Sequence, residues 1–289
     1  MRAIRWSQLI TVALCASWPG AVALAQEDPT QLTEEVVDEA PDENTTSWTL
    51  SAGGVLSTGN TESLQANAAT DLSLIRGHHG FGLTAQYILG RAGDNFDDET
   101  ADNLRARARY DFFFTRMDAA FLAVAVRRDP FAGLAPRVQG QIGYLRNFLK
   151  NEDGDHRAWG EFGYDLTYDR FDYDLLDIDP AIDPATLPDD QVVHAGRIFL
   201  GYDNHMNEDL TYKTGLEALF NVEDLGDFRL SWDNALSTRI GGNLQAELKV
   251  SLQLDTDPVA GAEKLDTTTT LNLIYTLLTD EEDEEGEGE

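Results

Sequence analysis

Apolar and polar residues alternate singly along most of this chain. Residues 46–75 set the pattern: two extended segments flank the turn Gly59-Asn60-Thr61. In the second segment Leu64, Ala66, Ala68, Leu72 and Leu74 share one face, and Gln65, Asn67, Asp71 and Ser73 share the other. A period of two is the strand period, because successive side chains of an extended backbone point to opposite faces. Gly59 and Asn60 tolerate the positive φ that a tight hairpin demands. Each segment is long enough to cross a bilayer at a tilt, which takes about 9–11 residues.

The unit repeats. Further strands are predicted near 80–91, 103–114, 119–128, 138–147, 157–170, 191–203, 210–221, 228–238, 243–254 and 267–278. The contrast is sharpest at 243–254, where Leu244, Ala246, Leu248, Val250, Leu252 and Leu254 oppose Gln245, Glu247, Lys249, Ser251 and Gln253. It is weakest at 191–203. Soluble β-sandwiches use strands of about 5–6 residues with a turn roughly every 8–12; here both lengths are roughly doubled. The expected fold is all-β: an antiparallel, up-and-down transmembrane β-barrel of about 12 strands, an even number as in bacterial single-chain barrels. Aromatic residues near segment ends, among them Trp48, Tyr87, Tyr110, Phe112, Tyr168 and Tyr275, suit the two interfacial girdles of such a barrel.

Most connections alternate between short and long. Short periplasmic turns and long outside loops produce that asymmetry, which puts both chain ends in the periplasm and residues 171–190 outside.

Residues 1–25 read as a Sec-type signal, with Arg2 and Arg5 before an apolar core and cleavage near Ala25-Gln26. Residues 26–46 read as an acidic, disordered linker, 47–278 as the barrel and 279–289 as an acidic, disordered tail. The single cysteine, Cys15, lies inside the signal, so the mature chain is expected to carry no disulfide or thiolate chemistry. Acids outnumber bases 52 to 21, for a net charge of −31. Nucleic acid is therefore not an expected partner. Outer-membrane lipid, lipopolysaccharide and the barrel-assembly machinery are.

A charge facing lipid at mid-bilayer costs about 2–4 kcal/mol, so the charged face of each strand is expected to point into the lumen. The candidate lumen-lining residues are Arg105, Arg107, Arg109, Arg127, Glu161, Asp165, Asp169, Lys213, Glu217, Glu247 and Lys249. Arg105, Arg107 and Arg109 make one wall basic. Glu161, Asp165 and Asp169 make a second wall acidic, a quarter-turn away, which predicts a transverse field across the lumen. Eight strands fill with side chains and 16–18 leave a clear channel. Twelve lie between, and both a wet pore and an interior of paired charges fit the pattern.

Catalysis is not expected. His78, His79, His156, His194 and His205 fall mostly in predicted turns without the partners of a metal site. There is no Gly-x-Ser-x-Gly elbow and no His-x-Ser triplet for a lipid hydrolase. No cofactor or metal is implied.

The hairpin sequence LSTGNTES, with Gly59, Asn60 and Thr61, and the connection RRDPFAGL, with Arg128, Asp129, Pro130 and Phe131, resemble the YdiY-like family of salt-induced outer-membrane proteins, built on a domain of unknown function. The resemblance spans roughly residues 46–278 and implies an outer-membrane barrel without a defined activity. One feature departs from it: barrels of this kind commonly end on an aromatic residue that the assembly machinery reads, whereas this chain runs past Tyr275 and Leu278 into acids. The expected role is a narrow passive channel or a stress-related envelope component. The alternative is a structural or adhesive barrel acting through its outside loops.

Overall fold

Twelve antiparallel strands, each hydrogen-bonded to its neighbours in sequence, close into a single barrel when β1 pairs with β12. The computed structural model describes residues 44–57, 63–93, 96–150, 156–174, 176, 178, 183, 186–258 and 264–282. Residues 1–43 and 283–289, and with them the expected signal, most of the linker and most of the tail, lie outside the described residues, as does the turn at Gly59, Asn60 and Thr61.

The strands are β1 (Asn44–Ser57), β2 (Ser63–Arg76), β3 (His79–Ala92), β4 (Asp98–Phe113), β5 (Asp118–Asp129), β6 (Leu134–Lys150), β7 (His156–Phe171), β8 (Asp190–Asn207), β9 (Leu210–Asn221), β10 (Phe228–Gly241), β11 (Leu244–Asp255) and β12 (Leu265–Glu282). Several extend past their expected limits. β1 begins within the expected linker, and β12 reaches four residues into the expected tail, pairing Asn44 with Glu282. β6 and β8 gain residues at both ends. The physical reason is that ladder pairing needs only backbone groups. Alternation fades where both faces of a strand meet water, yet the hydrogen bonds continue.

Burial follows the pleat. β3, β4 and β5 alternate buried and exposed residues over most of their length. The sense of the alternation is inverted relative to a soluble protein. Leu122, Ile142, Phe162, Leu200 and Leu271 are more than half exposed on the outside, whereas Arg105, Asp165 and Arg197 are almost wholly buried within. Such an apolar belt is stable only against hydrocarbon, and closure leaves no unpaired strand edge for lipid to meet. Aromatic and histidine rings gather near strand ends on this outer face, as where His79 stacks on Tyr110 and Phe220 meets Phe228. No helix among the described residues is long and apolar enough to cross a membrane.

On the side of the chain ends the described connections are 77–78, 114–117, 208–209 and 242–243. Gly77 and Gly242 take φ of 55° and 53° in the two-residue turns, the left-handed conformation such hairpins require. The opposite, far side carries longer connections, of which 172–189 is the longest. There the RRDPFAGL stretch forms one turn of 3-10 helix, Pro130–Ala132, capped by Asp129, whose carboxylate accepts from the Ala132 amide. Asp129 also accepts from Arg127 and Asn103. Arg128 points outward to Asp102 at 2.6 Å. The stretch is thus a built corner of the barrel, and the β7–β8 loop leans on it through the amide of Asp172 and the carbonyl of Gly133.

Candidate functional site

The interior divides into two regions of different character. From β4 to β9 it is packed. Arg105, Arg107 and Arg109 stand on one face of β4, two residues or about 6.6 Å apart, and all three are buried. Arg109 grips Asp111 on its own strand through three hydrogen bonds and reaches Glu161 on β7 at 2.9 Å. Glu161 also pairs with Arg197 of β8, which in turn pairs with Glu217 of β9. Four strands therefore converge on one knot of guanidinium and carboxylate groups.

A second chain runs beside it. Arg107 donates to Gln141 at 3.1 Å, Gln141 donates to Asp165 at 2.9 Å, and Thr167 donates to the same carboxylate at 2.6 Å. Towards the far mouth Arg137 binds Asp169 through two bonds of 2.6 and 2.7 Å, and Arg229 lies 3.8 Å from that carboxylate and 3.4 Å from Asp255. Arg127 meets Asp129 at 2.7 Å. The expected field between a basic and an acidic wall is therefore corrected. The side chains are long enough to meet across the strands, so opposite charges neutralise one another in contact.

An apolar layer completes the packed region. Phe113, Ala119, Phe121, Leu145, Trp159 and Phe199 form a buried cluster on the inner face, towards the chain ends. Arg109 lies 4.4 Å over the ring of Phe121, and Arg157 lies 4.3 Å over Trp159 while pairing with Asp203. Two glycines make room for these rings. Gly201 faces Trp159 across the β7–β8 ladder, and Gly143 faces Phe121 across β5–β6. A Cβ on Gly143 would stand 2.7 Å from the Phe121 ring, and one on Gly201 would overlap the Trp159 indole.

The other region, formed by β1–β3 and β9–β12 with His205 of β8, is lined mostly by Ser, Thr, Asn and Ala between a few charged residues. It encloses a cavity of about 330 Å³ in the half of the barrel nearest the chain ends. Lys213, Glu247 and Lys249 line it, together with Asp71 and Asn67 of β2. Its inner end is a run of amides: Asn67 donates to Asn272 at 2.9 Å, Asn272 donates to Glu247 at 3.1 Å, and Ser237 donates to the same carboxylate. This bridge spans β1 at Gly53, where any Cβ would collide with both asparagine oxygens. It links strands on either side of the seam where the barrel closes. Beyond the cavity, towards the far mouth, the inward residues Ile88, Asn103, Asp129, Asp169, Ser251 and Thr268, from six strands, are all buried.

Of the candidate residues, Arg105, Arg107, Arg109, Arg127, Glu161, Asp165, Asp169 and Glu217 thus belong to the packed region, and Lys213, Glu247 and Lys249 to the cavity. Sequence reasoning missed Arg197, the fully buried centre of the charge knot, along with Arg137, Arg157, Asp203 and Arg229. Arg197 sits in the strand with the weakest alternation, because its inward companions Val193, Ala195 and Phe199 are apolar. The available signal was a lone arginine in an apolar run, which lipid would not tolerate. Among the described residues no group of three His, Cys, Asp or Glu side chains could hold a metal ion.

A closed barrel with an apolar exterior, interfacial aromatic rings and a charged interior is a transmembrane β-barrel. Within that class the chain belongs to the DUF481 family, described as proteins of unknown function, whose model matches residues 50–277. Among curated proteins none matches the chain. Similar solved structures include an outer-membrane channel from Pseudomonas putida F1, 8% identical, with a TM-score of 0.45 and coverage of 87% of this chain and 100% of that one. The NanC porin is 10% identical, with a TM-score of 0.44 and coverage of 82% and 100%. The translocator domain of the autotransporter NalP from Neisseria meningitidis is 12% identical, with a TM-score of 0.42 and coverage of 84% and 91%.

Proposed function

We propose that this protein is an outer-membrane envelope barrel whose lumen is plugged by its own side chains, rather than an open diffusion pore. The observation that carries the reading is the burial of inward charges. Residues lining a water-filled channel stay wet, yet Arg109, Asp111, Glu161, Asp165 and Arg197 are each at most 3% exposed. The apolar belt supports insertion among lipid and lipopolysaccharide. The loop asymmetry supports an orientation with both chain ends in the periplasm and residues 172–189 outside.

Refolded protein in a planar bilayer tests the proposal. Wild type should give no lasting conductance steps. Arg197→Ala, which removes the centre of the knot, should give flickering openings in the subset of molecules that still fold. Stable ohmic conductance from wild type would overturn the plugged reading. Recovery of the protein from the soluble periplasmic fraction, instead of the outer-membrane fraction of a density gradient, would overturn the location.

A second reading has its own observation. The polar cavity leaves the β1–β3 and β9–β12 side less filled, which suits a narrow passage for small solutes along that wall. It would register as slow flux of a small solute into proteoliposomes without measurable ion current.

A further inference from the structure

The cavity beside the closing seam carries an ordered arrangement of opposite charges. Lys213 of β9 pairs in register with Ala235 of β10, and Ala235 pairs with Lys249 of β11. Two lysines thus stand in one row with a methyl group between them, which keeps the space before them open. On the other wall Asp71 of β2 is flanked in register by Thr49 of β1 and Thr84 of β3. In a closed twelve-strand order, β9 and β2 are five strands apart and β11 and β2 three, so Lys213 lies almost across the lumen from Asp71 and Lys249 about a quarter-turn from it. All these residues line the cavity. Thr84 is 9% exposed, and its hydroxyl has no hydrogen-bond partner among the described residues. A buried hydroxyl left in this state costs free energy unless an occupant completes it.

We propose that this cavity is a binding site for small zwitterionic solutes of amino-acid to dipeptide size. Lys213, Lys249 and Asp71 each have a partner within the protein; on binding, the lysines would turn to the carboxylate, Asp71 to the ammonium group, and the Thr84 hydroxyl and the Asn67–Asn272 amides would meet the polar body between. A volume of about 330 Å³ lies at the small end of ligand pockets, which run about 300–1,000 Å³. A simple anion would meet Asp71 and Glu247, and a simple cation would meet Lys213 and Lys249, so each would be opposed by half of the lining. Among the described residues no Phe, Tyr or Trp lines the cavity to stack on a sugar ring. The cavity lies in the half of the barrel nearest the chain ends, and binding there does not require that the lumen conduct.

Isothermal titration calorimetry on the full chain refolded in detergent tests the site. The probes are glycylglycine, N-acetylglycine without the ammonium group, glycinamide without the carboxylate, and glycerol. Glycylglycine should bind at least tenfold more tightly than any of the other three. Asp71→Asn should weaken glycylglycine at least tenfold, while N-acetylglycine, which the Asp71 carboxylate opposes, should bind no more weakly than to wild type. Lys213→Met with Lys249→Met should reduce it to the level of glycinamide. Folding of each variant is read from heat-modifiable migration. If Asp71→Asn fails to fold, Thr84→Val replaces it and should weaken glycylglycine severalfold. Equal binding of all four probes, no detectable binding, or glycylglycine affinity unchanged in folded variants would each overturn the proposal. A quiet bilayer recording bears on the plug and leaves this site untouched.

Discussion

The two sides of the barrel interior solve the same problem differently. Both must occupy the space that twelve strands enclose. The β4–β9 side fills it with long side chains: arginines paired to carboxylates across three or four strands, and a layer of Phe, Leu and Trp beneath them. The β1–β3 and β9–β12 side uses mostly Ser, Thr, Asn and Ala around Asp71, Lys213, Glu247 and Lys249, and leaves a cavity. The packed side couples strands distant in sequence, so loss of one group is felt by several neighbours. On the open side the amide bridge over Gly53 ties β2 to β12 and β11. Strand pairing alone would make the two sides equal in strength. Their difference lies in how far side chains reach into the lumen.

The largest effect should come from opening the charge knot. Glu161→Ala leaves Arg109 and Arg197 without their shared buried partner, and breaking a buried pair costs about 3–5 kcal/mol. Urea unfolding in detergent should show a loss of that size, and a loss below about 1 kcal/mol would mean that water already screens the knot. Gly201→Val comes next. It drives a branched side chain into the Trp159 indole, and overpacking of this kind costs about 1–3 kcal/mol. Near-ultraviolet circular dichroism should lose the tryptophan signal with it.

Arg107→Glu places a carboxylate beside Gln141 and Asp165. It should lower the thermal midpoint by several degrees and produce no ion-selective current. A selective current in this variant would show that the packed side conducts. A smaller effect is expected from Asn67→Ala, which removes one link of the amide bridge and should cost about 0.5–1.5 kcal/mol in the same urea assay. The smallest is Ala69→Leu on the open side. The cavity has room for the added methyl groups, so stability should change by less than about 0.5 kcal/mol, while glycylglycine binding falls. A large stability loss from Ala69→Leu would show that this side is as tightly filled as the other, and the contrast between them would fail.

The strands, the closed all-β class and the lipid-facing side of most strands are legible in the order of residues alone. Alternation is a local property of an extended backbone, so Leu244 to Leu254 against Gln245 to Gln253 can be read without knowing any partner. It fails where the inner face turns apolar. Val193, Ala195 and Phe199 hide the parity of β8, and Arg197 goes unseen with them. It also fails at strand ends, where hydrogen bonds run past the lipid belt to Asn44 and Glu282. Only the tertiary structure decided which inward charges meet. Arg109 and Glu161 lie on strands separated by two others, and their contact depends on barrel closure and on the cumulative register of every ladder between them. The same closure sets β2 beside β12 across Gly53 and Asp71 opposite Lys213. No local pattern carries those distances, because each is the sum of many strand-to-strand offsets.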